Sequence, residues 1–349
     1  MKIAIVYTKN PLATMTAMDI IRWVSLSTAL ARLGIEIDMV TVQNVTSLVI
    51  AKGVRVIPVN NATWSEYAIV KACYQRTINH IPDHPRIIVR LARVVGVNDS
   101  FRDYAHKDEL LECQSRISAK ARAIIVNDVL NKKRWIQRYG TRQKVFTVPN
   151  ACPAVIPTAR LDNKNKKHPV ALFTGSLSSV KMVEMLNNTG NLLRQKGWEL
   201  VVAGANKTMF YCSNTHELDR NACTYLGPVS YEDSLRLMLD ADVGLALAPS
   251  PHLHENETSK IYTYLRCGLP VVYEEKIPNA NLVSHLQWGV IFKYDNSVAA
   301  AKATEVASEL SRNVLNKNAV IRHMQNNETW DNRALLLKEI FNEVYSDET

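Results

Sequence analysis

The 349-residue sequence lacks the long apolar segments that cross a membrane, and its few cysteines follow no metal-binding pattern. No window approaches the ~18–20 apolar residues needed to span a bilayer. The six cysteines include no CxxC pair and no Cys/His cluster, so they predict free, buried thiols in a reducing compartment. The N-terminal residues predict a short buried strand rather than a signal peptide. We therefore expect a cytoplasmic protein without a structural metal ion.

Common nucleotide-binding and hydrolase motifs are also missing. No GxGxxG follows the first predicted strand, and there is no Walker A loop, HExxH or GxSxG. The triplet Asp240–Ala241–Asp242 has the D-x-D spacing that holds metal–nucleotide complexes in some transferases. It lies at the end of an amphipathic helix, however, and we interpret it as a helix end and turn. A simple dinucleotide-binding enzyme and a metal-dependent site are thus not expected.

Positive charge is concentrated in the first half of the chain. Residues 1–160 carry 23 Lys and Arg against 11 Asp and Glu, a net charge of +12, whereas residues 161–349 carry a net charge of −3. A field of this sign favours polyanions such as anionic lipid headgroups, phosphorylated substrates or nucleic acid. The helix containing Lys132, Lys133, Arg134 and Trp135 could lie on an anionic membrane surface, or it could present a solvated basic face.

Apolar strands alternate with amphipathic helices in both halves, which predicts two doubly wound, parallel α/β domains. The length agrees with two domains. A proline-rich, polar stretch separates the halves, so we predict one domain at 1–155, a linker at 156–167, a second domain at 168–325 and a terminal helix at 326–349. Strands are predicted at Lys2–Tyr7, Glu36–Val40, Val54–Val59, Arg86–Leu91, Ala123–Val126, Lys144–Val148, Val170–Thr174, Glu199–Ala203, Thr224–Leu226, Val243–Ala246, Val271–Tyr273 and Val290–Phe292.

The most informative stretch is PSPHLHENETSKIYTYLRCGLPVV, residues 249–272. A strand leads into a polar loop, and Thr258 or Ser259 can cap the helix that follows, which has Lys260 in its first turn. A helix N-terminus offers unpaired N–H groups and a positive dipole, so this pattern predicts a diphosphate site. Three further strands of the second domain end in short Gly, Ser or Pro loops, at Gly175, Gly204 and Gly227. Small residues there let backbone approach a ligand closely.

The order FTGSLSSVK, LVVAGANK, YLGPVSYEDSLRLMLDADVGLALAPS and SKIYTYLRCGLPVV resembles the nucleotide-sugar-binding domain of GT-B glycosyltransferases. The resemblance covers about residues 170–292 and extends to the final helix. It implies the GT-B fold, in which two Rossmann-like domains face each other across a cleft and the C-terminal helix crosses back to the first domain. It also implies a nucleoside-diphosphate sugar as co-substrate, with no cofactor.

The sequence departs from this family at two positions. Ser176 stands where the family has an arginine, although its partner lysine is kept as Lys181. Thr263 stands where the family has the second glutamate of E-x7-E, and Glu255 matches the first. Retaining members place the Arg/Lys pair on the diphosphate and the second glutamate on the ribose. The pattern around Lys260 is more similar to inverting bacterial glucuronosyltransferases of exopolysaccharide assembly.

The loops and the resemblance together assign a set of residues to nucleotide-sugar binding. They are Gly175, Ser176, Lys181, Gly204, Tyr231, Glu255, Glu257, Thr258, Ser259, Lys260 and Thr263. An inverting transfer also needs a base for the attacking hydroxyl. Asp99 and Asp103 are the candidates in the first domain, with His106 nearby, and Lys260 is expected to neutralise the leaving diphosphate.

We therefore expect a metal-independent hexosyl- or uronosyltransferase. Its acceptor would be a glycan or a lipid-linked saccharide of cell-surface polysaccharide assembly, reached at the inner membrane face through peripheral binding. Two alternatives remain open. One is a nucleotide-sugar 2-epimerase of the same fold, which would need no acceptor. The other is a non-enzymatic polyanion-binding protein, although the sequence has no stacking motif for nucleic acid.

Overall fold

The computed structural model describes residues 1–12, 18–96, 107–157, 168–208, 216–248, 257–275 and 277–346. Within these ranges the chain forms two compact units. The first unit contains the described residues up to Asn150 together with those from Trp330 onward. The second unit contains the described residues of 151–329. Each unit has a sheet covered by helices, so the prediction of two doubly wound α/β domains is confirmed.

The described part of the first unit contains an eight-stranded sheet with the order β3-β4-β2-β1-β5-β6-β7-β8. Every described pairing is parallel except that of β3 with β4, because β3 is an antiparallel edge strand. The strands are β1 (Lys2–Tyr7), β2 (Glu36–Thr41), β3 (Leu48–Ala51), β4 (Val54–Pro58), β5 (Ile69–Ala72), β6 (Ile87–Leu91), β7 (Ala123–Val126) and β8 (Lys144–Thr147).

Helices cover the first sheet with their apolar faces. They are α1 (Met18–Arg32), α2 (Lys107–Lys120), α3 (Val129–Tyr139) and, from the end of the chain, α10 (Trp330–Ser346). Short 3-10 helices cover Val59–Asn61, Trp64–Glu66 and Gln75–His80. Helix α10 packs against α1 and buries Trp330, Leu337 and Phe341. The predicted return of the C-terminal helix to the first unit is therefore confirmed.

The second unit repeats the design with a six-stranded sheet in its described part, in the order β11-β10-β9-β12-β13-β14. The strands are β9 (Val170–Thr174), β10 (Glu199–Ala203), β11 (Thr224–Gly227), β12 (Val243–Ala246), β13 (Val271–Glu274) and β14 (Gly289–Phe292). The described helices are α4 (Val180–Gln195), α5 (Tyr231–Asp240), α6 (Ser259–Arg266), α7 (Ala280–Leu286), α8 (Ser297–Leu310) and α9 (Val314–Asn327). Two apolar cores form, one on each face of this sheet.

Two strands were not expected from the sequence, and both lie in the first unit. Strand β3 adds an antiparallel edge to the otherwise parallel described sheet. Strand β5 lies near the centre of the sheet, but its apolar run is interrupted by Lys71. That side chain is fully buried, with its Nζ 3.5 Å from the centre of the Trp23 ring. Burial lowers the pKa of Lys71 to about 7, so the amine is tolerated in the core.

No helix in the described ranges is long and apolar enough to cross a membrane.

Helix α4 packs so closely on the loop before β11 that its Gly190 has no room for a side chain. A Cβ atom at Gly190 would lie 2.3 Å from the carbonyl oxygen of Ala222. Replacing Gly by Ala inside a helix normally stabilises by up to ~1 kcal/mol. We expect Gly190→Ala instead to destabilise the protein by about 1–3 kcal/mol, because overpacking forces the backbone apart.

Denaturant unfolding of Gly190→Ala and of Asn188→Ala, an exposed site on the same helix, tests this packing. The Asn188 variant should stay within about 0.5 kcal/mol of the parent protein. A Gly190 variant as stable as the Asn188 variant would contradict the close approach of α4 to Ala222.

Candidate functional site

Glycines follow the carboxyl ends of β9 and β10, at the edge of a parallel sheet where ligands bind. Gly175 has φ +129° and Gly204 has φ +149°, conformations that other residues rarely adopt. The two turns touch: a Cβ at Gly204 would lie 2.0 Å from the carbonyl oxygen of Gly175. The backbone N–H of Gly175 donates to the carbonyl of Ala203 at 2.9 Å. Because both positions are glycine, the two turns can touch and the hydrogen bond between them can form, with no side chain in the way.

Lys260 lies directly against the first of these turns. A Cβ at Gly175 would lie 3.2 Å from the Lys260 Nζ, and this Nζ is 3.8 Å from the centre of the Phe173 ring. Burial lowers the pKa of Lys260 to about 7. Among the described residues no carboxylate forms an ion pair with it. The site therefore has a partly buried lysine amine with no counter-ion among the described residues, next to two glycine turns.

The first turn of α6 adds backbone donors beside this lysine. Thr258 is the N-cap residue, but its side chain makes no capping hydrogen bond, contrary to the expected hydroxyl cap. Its backbone is held instead by Asn279, through the Thr258 N–H at 3.0 Å and the Thr258 carbonyl at 2.8 Å. Ser259 is the first helical residue rather than the cap. The first N–H groups of α6 consequently have no cap from Thr258, and an anion could accept from them.

Tyr264 fixes helix α6 on the sheet, a role that the sequence did not suggest. Its buried hydroxyl accepts from the backbone N–H of Thr174 at 2.9 Å and lies 3.3 Å from the carbonyl of Leu172. The ring packs on Gly244 so closely that a Cβ there would lie 2.6 Å from it. Because Thr174 immediately precedes Gly175, Tyr264 sets the position of Lys260 relative to the glycine turn.

Lys181 was expected to contact the diphosphate together with Lys260. Its ammonium instead forms an ion pair with Glu274, the last residue of β13. Ser176, at the position of the family's arginine, is exposed. Among the expected phosphate ligands, only Lys260 thus lies against Gly175 in the described structure.

Other predicted residues take structural positions. The Glu257 carboxylate accepts from the Tyr262 hydroxyl at 2.5 Å. Tyr231 is half-buried and packs against the core of the second unit. Thr263 is 1% exposed and its hydroxyl lies 3.4 Å from the Ser259 carbonyl. Asp99, Asp103, His106 and Glu255 lie outside the described residues.

The described ranges contain no group of three or more His, Cys, Asp or Glu side chains that could hold a metal ion. The carboxylate of Asp242, from the D-x-D triplet, accepts from the backbone N–H of Val170 at 2.8 Å. The five described cysteines are buried. These side chains therefore have structural positions.

A cavity of about 480 Å³ opens near the amino ends of β10 and β11, at the other edge of the second sheet. Arg194, Arg220, His168 and Trp198 contribute to its lining. None of the residues predicted for nucleotide-sugar binding lines this cavity, so it is separate from the site at Gly175 and Lys260.

The match to a known protein family lies within the second unit. Residues 159–321 match the family model of glycosyl transferases group 1. No curated protein matches the chain by sequence. Solved structures match almost the whole chain at low identity, which shows the fold: sucrose-phosphate synthase from Thermosynechococcus elongatus has a TM-score of 0.76 at 13% identity, covering 99% of both chains.

Two further structures show the same fold. HepE from Anabaena, solved in complex with UDP-glucose, has a TM-score of 0.72 at 14% identity and covers 98% of this chain and 99% of its own. WaaG, a glycosyltransferase involved in lipopolysaccharide biosynthesis, has a TM-score of 0.65 at 13% identity and covers 99% of this chain and 100% of its own. Residues 159–321 are thus similar to the glycosyl transferases group 1 family, and the chain has the GT-B fold of these structures.

Proposed function

We propose that the chain transfers a sugar from a nucleoside-diphosphate sugar to a hydroxyl acceptor, and that it binds the diphosphate between Gly175, Gly204 and the start of α6. The observation that carries this proposal is the position of Lys260. Its amine is desolvated, has no described counter-ion, and lies beside bare glycine backbone and an uncapped helix start. A diphosphate would supply the missing negative charge.

The same geometry favours departure of the nucleotide. As the bond to the anomeric carbon breaks, negative charge grows on the leaving diphosphate. The Lys260 ammonium and the positive end of the α6 dipole stabilise that charge without reorganising, because Tyr264 and Asn279 already hold the helix in place. In this proposal a metal ion is not required.

The charge of the first half of the chain and two of the similar structures point to classes of donor and acceptor. A complex of HepE with UDP-glucose makes a uridine-diphosphate sugar the first donor to test. The net charge of +12 on residues 1–160 favours an acceptor that carries phosphate, such as a lipid-linked saccharide. WaaG acts in lipopolysaccharide biosynthesis, which supports a role in cell-surface polysaccharide assembly. Asp99 and Asp103 stay the predicted candidates for the base.

Helix α3 offers a surface for peripheral membrane binding. Val129 and Leu130 in its first turn are 58% and 45% exposed, and Lys133 is exposed beside them. Trp135, the aromatic residue of this helix, is fully buried in the core of the first unit. Apolar anchors next to basic side chains are typical of segments that lie on anionic lipid.

Replacing Lys260 tests the proposed donor site. We expect Lys260→Ala to lower turnover about a hundredfold, since one electrostatic donor is worth about 2.7–4 kcal/mol in comparable sites. The measurement is sugar transfer with uridine-, guanosine- and adenosine-diphosphate sugars, alongside the melting temperature with each diphosphate. When the cognate diphosphate is present at 100 times its dissociation constant, the free energy of unfolding of the wild-type protein should rise by about 2.7 kcal/mol.

Lys302→Ala, which removes an exposed lysine on α8, is the matched control and should behave as the parent protein. Wild-type turnover by Lys260→Ala, at an unchanged melting temperature, would remove Lys260 from the mechanism.

Donor binding should depend on pH through Lys260. The free protein has a Lys260 pKa of about 7, whereas a bound diphosphate stabilises the protonated amine and raises this pKa. Binding therefore takes up a proton above pH 7. We expect the dissociation constant of the nucleotide sugar to rise by at most about tenfold per pH unit between pH 7 and 9. Titration calorimetry in two buffers measures both the affinity and the protons taken up.

Lys260→Arg provides the comparison, because a guanidinium stays charged across this range. Its affinity should be independent of pH from 7 to 9. An equally steep profile in this variant would show that another group titrates.

Membrane binding should involve α3. We expect the protein to co-sediment with anionic liposomes at low salt and to be released at high salt, because each basic residue near such a surface contributes about 1 kcal/mol that salt screens. Neutralising Lys132, Lys133 and Arg134 together should weaken sedimentation, and Val129→Ser with Leu130→Ser should weaken it at unchanged charge. Wild-type protein that stays in the supernatant at low salt would refute this surface and favour a water-soluble acceptor.

A further inference from the structure

Glu274 connects the ends of three adjacent strands of the second sheet. It is the last residue of β13 and is fully buried. Its carboxylate accepts from the backbone N–H of Ala248, just after β12, at 2.7 Å, and from that of Asp295, after β14, also at 2.7 Å. A buried carboxylate with two backbone donors still carries a full negative charge that has to be compensated.

Lys181 supplies the compensating charge. It is the second residue of α4, and its ammonium forms an ion pair with the Glu274 carboxylate. The ammonium also lies 3.3 Å from the carbonyl of Ala248 and 4.1 Å from the centre of the Tyr294 ring. Its side chain is only 15% exposed. The cation is therefore enclosed by groups that accept or stabilise positive charge.

The two lysines at this sheet edge thus have opposite electrostatic situations. Lys260 has no described carboxylate partner and is free to meet an incoming anion. Lys181 already has a fully buried partner, and moving it to a diphosphate would leave Glu274 charged and unpaired. Removing one member of a buried ion pair is strongly destabilising, whereas replacing both members is often neutral.

We propose that Lys181 is a positioning residue that acts through Glu274, and that it does not contact the donor diphosphate. The pair fixes the carboxyl ends of β12, β13 and β14 and the start of α4, which lie at the same sheet edge as the proposed donor site. This inference rests on the proposed function, because it assigns a role to a lysine of that site. Lys181 and Lys260 differ in what their charge does. The charge of Lys260 meets the diphosphate, whereas the charge of Lys181 is needed only while Glu274 is charged.

A double-mutant cycle in the full-length protein tests the proposal. Lys181→Met should lower the melting temperature by roughly 10 °C, because it leaves a buried carboxylate unpaired. It should also raise the dissociation constant for the cognate nucleoside diphosphate about tenfold and change kcat less than Lys260→Ala does. Adding Glu274→Gln removes the unpaired charge, so the double variant should recover most of the melting temperature and bind the diphosphate within about threefold of wild type.

Lys260→Met with Glu274→Gln is the matched control, and its diphosphate affinity should be no better than that of Lys260→Met alone. If the double variant at positions 181 and 274 regains stability but binds diphosphate as weakly as Lys181→Met, Lys181 contacts the donor and the proposal fails. Wild-type protein that binds no diphosphate contradicts the proposed function, and the positioning role with it. The melting temperatures then still report whether the ion pair forms.

Discussion

The proposed donor site depends on one electrostatic constraint, a lysine amine that is desolvated without a described counter-ion. Lys260 lies against the Gly175 turn and the Phe173 ring, and burial lowers its pKa to about 7. Leaving a charge in such a place destabilises the free protein, and an anionic ligand relieves that cost. The position of Lys260 therefore suits a group that is charged when a diphosphate is bound.

The described surroundings hold this amine in place by packing and hydrogen bonds, with no ion pair to it among them. The Tyr264 hydroxyl bonds the backbone at Thr174, and its ring occupies the space that Gly244 leaves open. Gly204 lets its turn touch the Gly175 carbonyl. At the neighbouring strand ends, the buried Glu274 carboxylate is neutralised by its ion pair with Lys181. Lys181 thus has a buried carboxylate partner, whereas Lys260 has none among the described residues.

The sequence predicted the fold well, because strand and helix periodicity is a local property. Strands such as Val170–Thr174 and Val243–Ala246 were predicted at their observed bounds. It missed β5, since Lys71 breaks the apolar run and its burial depends on Trp23, far away in the chain. It did not indicate that Trp135 is buried, and it missed the roles of Glu274 and Tyr264. Their partners come from other strands, and no spacing in the sequence records such contacts.

The most direct test of the donor site is a crystal structure of the protein with uridine diphosphate or whichever nucleoside diphosphate binds best. We expect phosphate oxygens about 3 Å from the Lys260 Nζ and from N–H groups in the first turn of α6. We also expect Lys181 to keep its ion pair with Glu274. A diphosphate bound elsewhere, such as in the cavity near Arg194 and Arg220, with Lys260 left without an anion, would contradict the proposed donor site.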